Sequence, residues 1–333
     1  MTTERPPLLQ IDGLSVDFEG GGRRARVLNG VSLKVGAGET LGIVGESGCG
    51  KSMTAVAILR LIPSPPGRIA AGRILFGGED LTRVSDARIR DVRGHRIAMI
   101  FQEPMTSLNP VLTVGDQIGE VLIRHLRLGP KAARERSLRL LEAVGIPAPE
   151  QRIDVYPHQL SGGMRQRVMI AAAIACEPSL LIADEPTTAL DVTVQAQIFD
   201  LLRELQSKTG MGLILITHDM GAIAEMADRV AVMYAGRIVE EGATQSILDA
   251  PQHPYTRGLV ACVPDLDAAD GDAEAPLAEI AGVVPSVWEL RSGCPFADRC
   301  PEVIDVCRHE MPQRTSVTPA HHVACWCRGG PAA

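Results

Sequence analysis

Residues 45–52 read Gly45-Glu46-Ser47-Gly48-Cys49-Gly50-Lys51-Ser52, an instance of the spacing GxxxxGKS. The apolar run Leu41 to Val44 precedes it, and an Ala/Leu/Ile-rich segment from Lys51 to Ile62, stopped by Pro63, follows. The order is therefore strand, glycine-rich loop, helix. Glycines let backbone amides close on a phosphate chain, and the helix N-terminus adds partial positive charge. Lys51 is placed to reach β- and γ-phosphates, and the Ser52 hydroxyl to ligate Mg²⁺. Cys49 reads as a small spacer that contributes its backbone amide. A fortuitous glycine-rich turn would need none of these flanking elements.

Working outward, Leu180 to Glu185 reads LLIADE, an apolar strand that delivers Asp184 and Glu185 to its carboxyl end. Paired with a phosphate loop, Asp184 is expected to hold Mg²⁺ and Glu185 to polarise the water that attacks a γ-phosphate. Short apolar runs at Ile97 to Phe101, Leu180 to Ala183 and Leu213 to Ile216 lie between helical patterns, which predicts central strands of a parallel sheet. Near the start, Leu9 to Phe18 and Leu28 to Val35 alternate around a Gly/Arg-rich turn and predict an antiparallel pair. Helices are expected at Gly115 to Leu126, Pro130 to Val144 and Gly162 to Ala175, forming a helical subdomain of about residues 104–176 inserted into the sheet.

The bulk numbers agree with this α/β reading. The chain has 333 residues, 45% hydrophobic but only 3% aromatic, so its core must come from Leu, Ile, Val and Ala. A net charge of −7 gives no pull towards nucleic acid, and the basic stretch Arg83 to Arg96 reads as a solvated face. No apolar run approaches the roughly 20 residues needed to span a bilayer, and MTTERPPLLQ lacks the apolar segment of a secretion signal, which predicts a cytoplasmic protein. The Asp/Ala-rich stretch from Asp265 to Ala278 reads as a linker. A boundary near Ala250 divides the chain into residues 1–250 and an extension, 251–333.

A phosphate loop and an acidic strand define only a broad class of nucleotide hydrolases; LSGGMRQR at Leu160 to Arg167 narrows it. A helix opened by Ser161, Gly162 and Gly163 presents free amides suited to a γ-phosphate. With this motif the chain resembles the ATP-binding cassette (ABC) family. The resemblance implies a P-loop NTPase cassette with a parallel-sheet core, an N-terminal antiparallel β subdomain and an inserted helical subdomain. In the family the signature, here Leu160, Ser161, Gly162, Gly163, Arg165 and Gln166, faces the ATP of the opposite subunit. Gln102 in IFQEP resembles the glutamine that joins Mg²⁺ and the attacking water to the helical subdomain. Asp191 in TTALD resembles the loop crossing the dimer interface, and His218 in LITHD the histidine that contacts the γ-phosphate. Phe18 is a candidate to stack on adenine or an ordinary core residue.

The run from Ser161 to Ile198, together with FQEPMTSLNP and HPYTRGL from His253, is similar to the ATP-binding subunits of dipeptide, oligopeptide and nickel importers. The resemblance implies an ATPase peripheral to the cytoplasmic face of the membrane. Its implied partners are two transmembrane permease subunits, a second copy of itself or a similar ATPase, and indirectly an extracytoplasmic solute-binding protein. The rival is a soluble ABC ATPase of DNA repair or translation. It lacks support from a second cassette, coiled-coil heptads or a basic surface.

The tail carries Cys294, Cys300, Cys307 and Cys325, with Cys327 a substitute for Cys325. Four soft ligands suit zinc or an iron–sulfur cluster, but the tight CxxC knuckles of structural zinc sites are absent. Resemblance to importer subunits with this tail implies a 4Fe-4S cluster. Zinc, using His321 or His322, and four unliganded thiols are the alternatives.

Overall fold

The computed structural model describes residues 6–103, 107–187, 191–262, 279–290 and 292–328. The linker 265–278 and residues 104–106, where the helical insertion is expected to begin, lie outside the described residues. Among those described, the strands are β1 (Leu9–Gly20), β2 (Arg23–Val35), β3 (Thr40–Val44), β4 (Gly67–Phe76), β5 (Glu79–Asp80), β6 (Ile97–Ile100), β7 (Leu180–Asp184), β8 (Gly212–Thr217), β9 (Arg229–Tyr234), β10 (Arg237–Ala243), β11 (Thr315–Thr318) and β12 (His321–Val323). The chain divides into two compact units. One comprises Met1–Leu9, Val35–Glu39 and Arg83–Ile216, the other Gln10–Lys34, Thr40–Thr82 and Thr217–Ala333.

In the first unit β6, β7 and β8 run parallel, with Ile97 opposite Leu180 and Leu180 opposite Gly212. All five residues of β7 are buried, as a strand covered on both faces requires. The helices Val114–Leu126, Pro130–Ala143 and Gly162–Ile174 pack on one another and bury Ile118, Leu122, Leu141 and Val168. The first of them starts one residue before the expected Gly115, because Thr113 and Asp116 form a reciprocal capping box that fixes the entry.

The second unit holds a four-stranded sheet in the order β2-β1-β4-β5, as well as β3, β9, β10, β12 and β11. Here β3 pairs in parallel with β9, and β9, β10, β12 and β11 follow antiparallel, with Glu240 opposite Val323. The tail thus extends a sheet, a placement the sequence reading did not anticipate. Strands β11 and β12 are too short to show a period, and their pairing is non-local. The helix after the phosphate loop is Lys51–Ile58, shorter than the expected Lys51 to Ile62. Arg60 turns left-handed with φ 50°, and Leu61 N–H and Arg60 N–H donate back to the Val56 and Ala57 carbonyls. That closing motif ends the helix before Pro63 can.

Candidate nucleotide-binding site

In the second unit the fully buried β3 runs into the loop at Gly45. Gly45 has φ 150°, and a Cβ on it would lie 2.2 Å from the Met233 carbonyl oxygen, so only glycine lets the loop lie this close to β9. Gly50, at φ 107°, stands at the N-cap of Lys51–Ile58 without a side-chain cap, which leaves that end to backbone amides. The buried Lys51 donates from Nζ to the carbonyl oxygens of Gly45 (2.6 Å) and Glu46 (3.0 Å), so its charge is held over the loop. Cys49 is fully buried, and burial pushes its thiol up, leaving it uncharged. Ser47 and Gly48 lie between Glu46 and Cys49, and Ser52 follows Lys51 in the first helical turn. Phe18 is half-buried at the end of β1, and its ring lies against Gly67. His218 is exposed just after β8, ahead of the helix Met220–Met226.

The first unit holds the acidic residues. Asp184 ends β7 buried, and Glu185 follows at φ 47°, a conformation rare for a residue with a side chain. Its N–H donates to the Ile216 carbonyl at 2.8 Å, which fixes this turn against the end of β8. The Gln102 amide donates to Glu185 Oε2 at 2.9 Å, so the structure brings together two side chains 83 residues apart. At the signature, Ser161 caps the helix Gly162–Ile174, its hydroxyl accepting from Met164 N–H at 3.3 Å, and Ser161 and Gly162 are exposed. Leu160 and Gln166 point inward and are buried. Arg165 donates from Nε to the Pro157 carbonyl at 2.7 Å and so straps the preceding turn. Asp191 caps the helix Val192–Thr209, accepting from Val194 N–H at 2.9 Å.

In the tail, Cys294, Cys300, Cys307, Cys325 and Cys327 all line one cavity of about 10 Å³, beside His253 and Phe296. Burial pushes the Cys294 and Cys325 thiols up to about 11, so they are neutral unless a cation joins them. The donor chemistry suits a soft metal or an iron–sulfur cluster. Among the described residues no three His, Cys, Asp or Glu side chains are arranged as ligands of one metal ion. His321 is committed elsewhere: it is buried with Nε2 2.7 Å from Glu240 Oε1. No helix among the described residues is long and apolar enough to cross a membrane.

Sequence reasoning passed over Arg299 and Tyr255, which hold the phosphate loop from the tail. Arg299 forms a salt bridge to Glu46 and Tyr255 Oη accepts from Glu46 N–H. Tyr255 lies in HPYTRGL, quoted above for its resemblance, and Arg299 lies between the candidate ligands Cys294 and Cys300, yet nothing local ties them to residue 46, more than 200 positions away.

Comparison with known proteins places the chain. Residues 28–188 match the ABC transporter family, and residues 239–307 match the C-terminal region of oligopeptide/dipeptide transporters. The dipeptide transport ATP-binding protein DppD of Bacillus subtilis (strain 168) is 52% identical over 96% of this chain and 94% of its own. The oligopeptide transport ATP-binding protein OppD of the same organism is 49% identical over 96% of this chain and 88% of its own. Among solved structures, the dimeric bacterial ABC transporter cassette MJ0796 superposes with a TM-score of 0.64 at 28% identity, over 71% of this chain and 98% of that one. CbiO1 from Clostridium perfringens, part of the ABC transporter complex cbiONQ, gives 0.62 at 27% identity over 74% and 92%. With half of its residues shared with DppD along nearly the whole length of both chains, the chain belongs to the ABC transporter family as one of its ATP-binding cassette ATPases.

Proposed function

We propose that this chain energises an importer of peptides or a related small solute, nickel included, from the cytoplasmic face of the membrane. One observation carries the reading: a phosphate loop and transporter signature share the chain with a C-terminal region matching oligopeptide/dipeptide transporters. That second match also weighs against the soluble ATPase of DNA repair or translation. In this reading residues 1–250 are the cassette, with the helical insertion at about 104–176, and residues 251–333 are an extension. Two permease subunits form the channel, and a second cassette, identical or similar, completes the ATPase. An extracytoplasmic binding protein delivers the solute.

The chemistry follows from the side chains. Loop amides and Lys51 bind the β- and γ-phosphates, and His218 contacts the γ-phosphate. Glu185, oriented by Gln102, accepts a proton from water as the water oxygen attacks the γ-phosphorus. The bond from that phosphorus to the bridging oxygen breaks, leaving ADP and inorganic phosphate. Ser161, Gly162 and Gly163 offer the exposed helix end to the ATP of the opposite subunit, and Asp191 fixes the loop at the dimer interface. Closing two cassettes moves the permease helices, and hydrolysis reopens them. Ser52, Gln102 and Asp184 are the oxygen donors that suit a hard cation such as Mg²⁺, which would neutralise phosphate charge.

For the tail, the finer reading is a 4Fe-4S cluster on Cys294, Cys300, Cys307 and Cys325, with zinc as the alternative. Its support is the convergence of these thiols, with Cys327, on one cavity.

Reconstitution with candidate permease subunits and a panel of peptides tests the transport reading. ATP hydrolysis stimulated by permease and peptide is expected. Stimulation by nucleic acid with no response to either would overturn it.

A further inference from the structure

Glu46 occupies a position that the phosphate-loop spacing leaves open, yet it is anchored at three points. Its carboxylate takes a two-pronged salt bridge from Arg299, Nη1 to Oε2 at 2.7 Å and Nη2 to Oε1 at 3.0 Å. Its N–H donates to Tyr255 Oη at 2.8 Å, and its carbonyl accepts from Lys51 Nζ at 3.0 Å. The Glu46 peptide therefore links the lysine of the loop to side chains of the tail.

Arg299 is itself held. It ends the turn Ala297–Arg299, between Cys294 and Cys300, and its side chain is only 6% exposed. Nε donates to the Ala281 carbonyl at 2.8 Å and Nη2 to the Ile280 carbonyl at 3.0 Å. The guanidinium lies 5.9 Å from the Tyr234 ring centroid and 5.8 Å from that of Phe296. Tyr234, Tyr255 and Phe296 form a buried cluster with centroids 4.7 to 5.4 Å apart, so both anchors of Glu46 rest on one rigid base.

We propose that Arg299 is a positioning residue for the nucleotide: by clamping Glu46 it holds the phosphate loop preorganised, and so the tail sets ATP affinity. A bidentate charged pair with one member nearly buried fixes orientation more firmly than a surface ion pair. A loop already ordered before ATP arrives does not lose that freedom on binding. The inference rests on the assignment of residues 45–52 to the nucleotide. Arg299 touches no reacting atom, so its loss acts on ATP binding and spares the chemical step.

The test measures binding of a fluorescent ATP analogue to the full-length chain, and KM and kcat in the assembled transporter. Arg299→Ala is expected to weaken binding and raise KM about tenfold, with kcat within about twofold of the parent. Arg299→Lys recovers part of the loss, and adding Glu46→Gln to Arg299→Ala costs little more, because the pair acts as a unit. If Arg299→Ala does not fold, Glu46→Gln alone is expected to weaken binding several-fold. Lys51→Ala is the reference. Should Lys51→Ala lose ATP while Arg299→Ala, or Glu46→Gln in its place, binds as the parent does, the positioning role is overturned. Should Lys51→Ala also bind normally, the assignment of the loop itself fails.

Discussion

Gln102 Nε2 donates a 2.9 Å hydrogen bond to Glu185 Oε2, on a residue held at φ 47° just past the end of β7. The bond ties the strand-end carboxylate to the chain that follows β6, and Glu185 N–H to the Ile216 carbonyl fixes the backbone beneath it. The carboxylate is thus oriented before any substrate arrives.

Glu185→Gln is expected to bind ATP as the parent does and to hydrolyse it at least about 100-fold more slowly, since it loses the proton acceptor and keeps the phosphate cradle. Closed dimers should accumulate. Single-turnover hydrolysis and size-exclusion chromatography with ATP check both effects, and near-parental turnover in the assembled transporter removes Glu185 from its role.

Ser161→Arg separates nucleotide binding from closure. Ser161 is exposed at the start of Gly162–Ile174, so an arginine there fits the isolated chain but obstructs an opposing γ-phosphate. Monomer affinity for ATP is expected to stay within about threefold, while ATP-dependent dimerisation and turnover are lost. Unaltered dimerisation, read by light scattering, contradicts the signature's assigned role.

His253 supplies a pH dependence. Its Nδ1 accepts from Tyr255 N–H at 3.0 Å, and burial, with a smaller contribution from Arg257, holds its pKa down to about 3. The folded chain keeps this ring neutral while the unfolded chain protonates it near 6.5. The stabilisation is therefore complete above about pH 6.5 and falls as pH drops towards 3, by about 1.4 kcal/mol per unit. Replacing His253 with Asn, which can still cap Pro254–Ala261, is expected to flatten this part of the profile. Denaturant midpoints at pH 7.5 and 5.0 for both proteins measure it, and equal slopes refute it.

Anaerobically purified protein is expected to contain iron and sulfide, reduced by serine at Cys294, Cys300, Cys307 or Cys325. Cys327 shares the same cavity, so Cys327→Ser, compared with Cys325→Ser, identifies the fourth ligand. Stoichiometric zinc without iron replaces the cluster with zinc, and neither metal leaves plain thiols.

The sequence by itself determined the elements whose causes are local. Strand Thr40–Val44, the glycine turn and the helix from Lys51 could be read because an apolar run, positive-φ glycines and a helix N-terminus act within twenty residues. The three helices between 114 and 174 were legible to within about a residue, since a 3.6-residue pattern and caps such as Ser161 specify them along the chain. Tertiary structure alone decided what joins distant residues. Glu185 meets Gln102 across 83 positions and Arg299 meets Glu46 across 253, and Cys327 lines the same cavity as the four cysteines read together from the sequence, where it was only a substitute for Cys325. The addition of β11 and β12 beside β10 belongs with these, because backbone hydrogen bonds between strands carry no side-chain signature. Hydrophobic period and turn chemistry are written in neighbouring residues, whereas an ion pair or a strand pairing exists only once folding has closed the intervening chain.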